Sequence, residues 1–324
     1  MRIKVQKKDY LYSCKNKHME IKPMIKKASG ESQPFSKEKL KESLKRSGAN
    51  AQTINDIAIE IEGWIVKEIE TQAATDSAKG ISHELPYEFY AIPSKIIYQK
   101  AFSLLNRKTV SSAARYRLKN ALMEMGPTGH PFEFFTGEIY KVLGYQTQVS
   151  VILNGQCVTH EVDVIASKDK HQRFIECKYY QSTGKNANVQ VPLYIRSRVN
   201  DIISYKKTDP EFNDFTFSGG VVTNTRFTSD AEAYGNCCGL HLLSWDYPKG
   251  NGLKDIIDRE KIYPITALTS LTKAHKALLM NKGIVICRQL SHDKTALNSL
   301  DLTPNKRRKV LEELHDLISN GVNH

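Results

Sequence analysis

The chain has 324 residues, 40% hydrophobic and 25% charged, a balance that excludes a disordered or fibrous protein and predicts about two or three domains with cores of their own. No apolar stretch is long enough to span a membrane, and the basic N-terminus MRIKVQKKDYLYSCKNKH lacks the apolar segment of a secretory signal, so the cytoplasm is the expected location. A net charge of +12, from 47 basic and 35 acidic residues, suits a polyanionic partner, and six cysteines without a C-x-x-C pair argue against zinc and against a disulfide framework.

Residues 1–23 are basic and irregular and read as an N-terminal arm. MIKKASGESQPF, from Met24, reads as strand, glycine turn and strand. SKEKLKESLKRSG follows as a helix with Ser36 as N-cap and Gly48 as its stop. A second helix, roughly Ala51 to Ile69, carries Ile54, Ile57, Ala58, Ile61 and Ile65 on one face. After a stretch of Ser, Gly and Pro at 76–94, Lys95–Leu105 and Ser112–Met123 read as two more helices. MGPTGHP, residues 125–131, is the clearest boundary.

Beyond it a helix over Phe132–Leu143 ends at Gly144, and the period then changes to two. TQVSVIL and QCVTHEVDVIA form a hairpin with Asn154-Gly155 at the turn, and RFIECKYY returns as a third strand. A helix through Ile195–Tyr205, a strand at Thr216–Thr223, a short helix near Asp230–Tyr234 and a strand at Leu240–Trp245 complete an α-β-β-β-α-β-α-β order. That order predicts an α+β or α/β multidomain fold: a helical N-terminal unit, a central mixed sheet flanked by helices, and a helical C-terminal stretch. The expected divisions are 1–23, 24–124, 125–252 and 253–324.

RFIECKYY poses the chemical question. Glu176 and Lys178 interrupt an apolar run, and side-chain alternation points both to one face and Cys177 to the other. Charges are rarely buried unless they are paired or hold a metal. On the residues alone two readings stand, an exposed cross-strand pair or a catalytic pair projecting from a sheet. Asp163 lies thirteen residues before Glu176, on the preceding strand. Neighbouring strands are about 5 Å apart, so the hairpin can bring the two carboxylates together, where they repel unless a divalent cation bridges them. On the helix before the sheet, either Glu133 or Glu138 could reach the same sheet end.

PFEFFTGEIYKVLGY, EVDVIA and FIECKYY together resemble the PD-(D/E)xK nuclease superfamily, and within it the Mrr-like restriction endonucleases, over roughly residues 127–247. The resemblance implies a metal-dependent DNA endonuclease that hydrolyses phosphodiester bonds in duplex DNA, often as a homodimer. It implies that Asp163 and Glu176 hold Mg²⁺ (or Mn²⁺), that Lys178 assists the attacking water, and that Glu133 completes the cluster. Val162 stands where the superfamily has proline. Glu161, two residues before Asp163, is a competing ligand or an outer helper, and Gln190 falls where some relatives carry a polar residue. Thr223, Asn224 and Phe227 are expected to shape the end of the sheet. The competing readings are a nucleotide-responsive DNA-binding regulator on an inactive nuclease fold, and a structure-specific repair nuclease.

MIKKASGESQPFSKEKL, with SSAARYRLKNAL at 111–122, is similar to the ATP-cone, a regulatory unit that binds ATP or dATP. The resemblance implies a nucleotide effector held near Lys27, Gly30, Phe35 and Lys39. Ala28-Ser29 stands where that family has Arg-Asp, which removes a multidentate phosphate donor. GIVICRQL and LDLTPNKRRKVLEELHDLI faintly resemble a helix-hairpin-helix or similar DNA-binding unit. Its KRRK run, 306–309, reads equally as a phosphate grip or a solvated face.

Overall fold

The computed structural model describes residues 23–27, 29–81, 90–182 and 184–319. Almost all of the expected arm at 1–23, together with Ala28, lies outside them. The fold is α+β and multidomain, and the chain divides into two compact units, residues 1–113 and 114–324.

In the first unit, β1 (Met24–Lys26) pairs antiparallel with β2 (Ser32–Pro34) and parallel with β3 (Ala91–Pro93). Helix α1 (Lys37–Arg46) starts at Ser36, whose hydroxyl accepts from the Lys39 N–H, as the capping signal predicts. Helix α2 (Ala51–Ala78) runs well past Ile69 and buries Ile54, Ile57, Ile61, Ile65 and Ile69 on its predicted face. Helix α3 spans Ser94–Lys108. The stretch expected as one helix over 112–123 is two, α4 (Val110–Tyr116) and α5 (Leu118–Met123).

The second unit is built on a five-stranded sheet ordered β4-β5-β6-β7-β8. β4 (Gln146–Asn154), β5 (Thr159–Lys168) and β6 (His171–Lys178) are antiparallel; β7 (Thr216–Thr223) and β8 (His241–Leu243) continue the sheet in parallel with β6. On one face Val164, Ala166, Ile175, Val222 and Leu243 join helix α6 (His130–Val142) in a core. The same core takes in Leu118, Leu122 and the apolar faces of α9 (Leu253–Glu260), α10 (Lys273–Asn281), α11 (Cys287–His292) and α12 (Pro304–Ser319). The expected divisions near 124 and 252 therefore do not coincide with breaks in this core. On the other face Val162, Ile165, Phe174 and Val221 pack under α7 (Gln190–Lys206) and α8 (Ser229–Cys237). Gly219 makes room for that layer: a Cβ there would stand 2.7 Å from Leu240 and 3.0 Å from Val199.

The hairpin forms in the expected place with a longer turn. Asn154 pairs with Thr159, so Gly155–Val158 make the connection. The Asp201 carboxylate on α7 pins it, accepting from the Cys157 N–H at 2.9 Å and lying 2.8 Å from His160 Nε2.

Candidate active site

The ladder between β5 and β6 ends at Val164–Ile175, one step before Asp163 would face Glu176. The strands part there, and a side chain replaces the lost backbone partner, with Asp163 Oδ2 accepting from the Cys177 N–H at 2.6 Å. Opposite Asp163 on β4, Ser150 has φ 54°, between the paired residues Val149 and Val151. A serine in the left-handed region is uncommon and points to local strain beside the site.

Three carboxylates converge on this opening. Burial first, then the Glu176 charge and more weakly that of Glu133, push the Asp163 carboxyl up to about 7, against the Cys177 N–H and the Arg198 charge that pull it down. Glu176 is nearly covered, and cations hold both its oxygens. Lys178 Nζ donates to Oε1 at 3.0 Å, and Arg198 Nη1 donates to Oε2 at 2.7 Å. Burial draws the Lys178 amine down, but the hydrogen bond and charge of Glu176 outweigh it, so the ammonium is favoured. Glu133, in the first turn of α6, accepts from Ser150 Oγ at 3.1 Å and lies 3.1 Å from His130 Nδ1.

Glu176 and Lys178 thus project to one side, while Cys177 packs against the core on the other. Glu138 pairs with Lys141 on the helix surface. The Glu161 side chain is exposed and makes no ion pair, although its backbone carbonyl accepts from Arg198 Nη2. Gln190 opens α7, exposed, with no side-chain hydrogen bond to the carboxylates. In the first unit Lys27 and Gly30 sit exposed in the β1–β2 turn, and Lys39 is exposed in the first turn of α1. Phe35 is half-buried, its N–H bonded to the Pro23 carbonyl. Among the described residues no hydrogen bond or ion pair joins the side chains of Lys27, Phe35 and Lys39 to one another. Asn224 is buried and bridges the N–H and carbonyl of Tyr180, fixing the chain just after β6. The open groove along α12, lined by Arg307, Arg308 and His315, shares no residue with the carboxylates.

Sequence reasoning missed Arg198 and Ser150. The first had a partial signal: Arg196 and Arg198 flank the inward stripe of Ile195, Val199 and Ile202 on α7, which sets a cation near the sheet without naming its partner. The second had none, because a strand residue's φ is not written in its alternation.

Among the described residues no group of three or more His, Cys, Asp or Glu side chains stands ready-made to enclose a metal ion. The donors suit one kind of cation nonetheless. Mg²⁺ keeps several waters and is commonly held by one or two carboxylates, and Asp163 sits among negative charges that a cation would relieve.

A five-stranded mixed sheet with carboxylates at a split between antiparallel strands defines the class of this second unit: an α/β domain with an acidic site at the sheet end. The chain belongs to the AF1548-like family. It is 30% identical over 176 residues to an uncharacterized protein of Archaeoglobus fulgidus, an alignment covering 54% of this chain and 95% of that one. Residues 263–318 match the family described as AF1548-like, C-terminal. The crystal structure of the protein of unknown function AF1548 is similar at 27% identity and a TM-score of 0.49, covering 59% of this chain and 99% of that chain. MspJI restriction endonuclease in complex with a 27-mer oligonucleotide is similar at 12% identity and a TM-score of 0.30, covering 62% of this chain and 39% of that chain. Neither likeness assigns the fold; the strand order does.

Proposed function

We propose that the chain is a Mg²⁺- or Mn²⁺-dependent, restriction-type DNA endonuclease of the PD-(D/E)xK superfamily, similar to its Mrr-like members, that hydrolyses phosphodiester bonds in duplex DNA. The observation that carries the reading is the parting of β5 and β6 at Asp163 and Glu176, with Lys178 bonded to Glu176 and Glu133 acting on Asp163 from α6. When bound, the metal supplies a Lewis acid for the phosphate and lowers the pKa of its water. Asp163 and Glu176 would hold it, with Glu133 at the margin and Glu161 less well placed. Asp163 stays oriented because the Cys177 N–H fixes one of its oxygens. Lys178 stands beside Glu176 as an ammonium, where it orients water and offsets negative charge building on the phosphate. Arg198 keeps Glu176 pointed at the opening.

For residues 24–124 the reading is an ATP-cone-like unit with ATP or dATP as effector, supported by the exposed turn carrying Lys27 and Gly30 and by Lys39, exposed in the first turn of α1. Cutting both strands requires two such sites, which favours a homodimer. The test is supercoiled plasmid, methylated or unmethylated, incubated with the full chain in Mg²⁺ or in EDTA. Nicked or linear product that forms only with Mg²⁺ supports the reading. Specific duplex binding without cleavage under any condition overturns it in favour of a DNA-binding regulator.

A further inference from the structure

A second charged cluster lies at the His171 end of β6, away from Lys178, on the sheet face that α6 covers. Arg173 alternates with Ile175 and Cys177, so its side chain comes up on that face. Its guanidinium lies 5.9 Å from the centre of the Tyr145 ring, just past the C-terminal end of α6. The Lys168 amine, from the last residue of β5, lies 5.7 Å from the same ring. His241 on β8 packs edge-on to Tyr140 of α6 at 6.2 Å.

Two features set this cluster apart from an ordinary solvated face. The first is uncompensated charge: among the described residues neither Arg173 nor Lys168 makes an ion pair, although Arg173 is half-buried. Burial, and after it the Arg173 charge, hold His171 and His241 below the usual imidazole range, His241 at about 4. The second is a buried donor left over once the neighbouring groups are satisfied. Arg173 Nε donates to Ser218 Oγ at 3.1 Å, and both ring nitrogens of His171 lie against the Thr216 and Ser218 hydroxyls. The Tyr140 phenol is fully buried with the Arg173 guanidinium donating towards its oxygen, and among the described residues no acceptor takes its own proton. Arg173, the charged group beside it, has only donors and cannot accept its proton. A buried donor without an acceptor is costly, and so is a half-buried cation without an anion.

One kind of ligand answers both deficits, an anion with several acceptor oxygens. We propose that this end of the sheet binds a phosphate-class oxyanion between Arg173, Lys168 and the Tyr140 hydroxyl, at a site separate from the carboxylates. Guanidinium and ammonium groups around a phosphate form charge-assisted bonds, and the phenol completes them with a neutral one. A nucleic-acid backbone, a free nucleotide and inorganic phosphate all present this group, and the chemistry at the protein is shared.

The test is a titration of the full chain with inorganic phosphate in EDTA, read by NMR at the imidazole resonances of His171 and His241. Those resonances are identified through His171→Gln and His241→Gln, and His160 serves as a reference beside Asp201. The expected result is a saturable shift of both imidazoles with His160 unmoved, weakened about tenfold in Arg173→Met and about threefold in Lys168→Met. Absence of a saturable shift, or wild-type affinity in both variants, overturns the proposal; the cations then serve only to balance the C-terminal end of the α6 dipole. Lys168 is exposed, so Lys168→Met keeps the test open should Arg173→Met fail to fold. Competition identifies the source: displacement by a short duplex points to a nucleic-acid phosphate, displacement by ATP to a nucleotide, and displacement by neither to the free ion. Because the titration contains no metal and reads no cleavage, its outcome is independent of the nuclease reading.

Discussion

Asp163 holds an unfavourable position, and its pKa gives the sign of the consequence. A carboxyl raised to about 7 keeps its proton in the folded chain at pH values where the unfolded chain has lost it. Stability therefore falls as pH rises from about 4 to 7, and the loss is complete above that window. Asp163→Asn removes the cost while its amide oxygen can still accept from the Cys177 N–H. The variant should melt higher than wild type at pH 8, by on the order of 2 kcal/mol, and the two should converge below pH 4, as followed by calorimetry. Mg²⁺ at pH 8 should raise the melting temperature of wild type and leave the Asn variant little changed. An identical pH dependence in the two proteins would show that Asp163 is not among like charges. At this scale Asp163, Glu176 and Lys178 could be read from their spacing, because alternation along two adjoining strands fixes which side chains meet. Arg198 reaches Glu176 from a helix 22 residues further on, and no local pattern encodes that distance.

At the scale of elements, most were legible, the short strands β1, β2 and β8 among them, and β3 was not. The isoleucine stripe of α2 and the apolar run of β7 declare themselves, whereas β3 has three residues and exists only because β1 accepts it as a parallel neighbour. The β4–β5 turn shows how a tertiary contact displaces a local rule. Asn154-Gly155 predicts a two-residue turn, yet the connection is Gly155–Val158, because Asp201 draws in the Cys157 and Val158 N–H groups. The His160 bond, before the turn's own N–H groups, holds Asp201 down at about 2. A lowered carboxylate contributes stability that is present above its unfolded value near 4 and is lost as pH falls towards 2. Asp201→Ala should therefore lower the melting temperature at pH 7, with the gap closing in acid; a gap constant from pH 7 to 2 would contradict the clip. Gly219→Ala tests the α7 layer. Its methyl would press on Leu240 and Val199, at a cost of about 1–3 kcal/mol in denaturant unfolding, and a neutral effect would mean that α7 shifts freely.

At the scale of the whole molecule, a net charge of +12 and a sheet-end carboxylate site have to be reconciled, since both would meet the same polyanion. The basic excess supplies attraction to the phosphate backbone, and a cation at Asp163 and Glu176 would remove the local repulsion. Binding of duplex DNA to Asp163→Ala should accordingly weaken steeply with salt, with a slope of log K against log salt steeper than about −3, as measured by fluorescence anisotropy; a flat dependence would remove the electrostatic basis of the proposal. The helical character of both ends was readable in the sequence. That the helices after 252 share one core with α6 was not, since an amphipathic stripe does not name the surface it will cover. The central claim is that Asp163 and Lys178 serve cleavage. Its most direct test is single-turnover cleavage of supercoiled plasmid in Mg²⁺ by wild type, Asp163→Ala and Lys178→Ala, each first shown to be folded and to bind duplex. Both variants should cleave at least about a hundredfold more slowly with binding retained, and equal rates in all three proteins would show that neither residue serves cleavage.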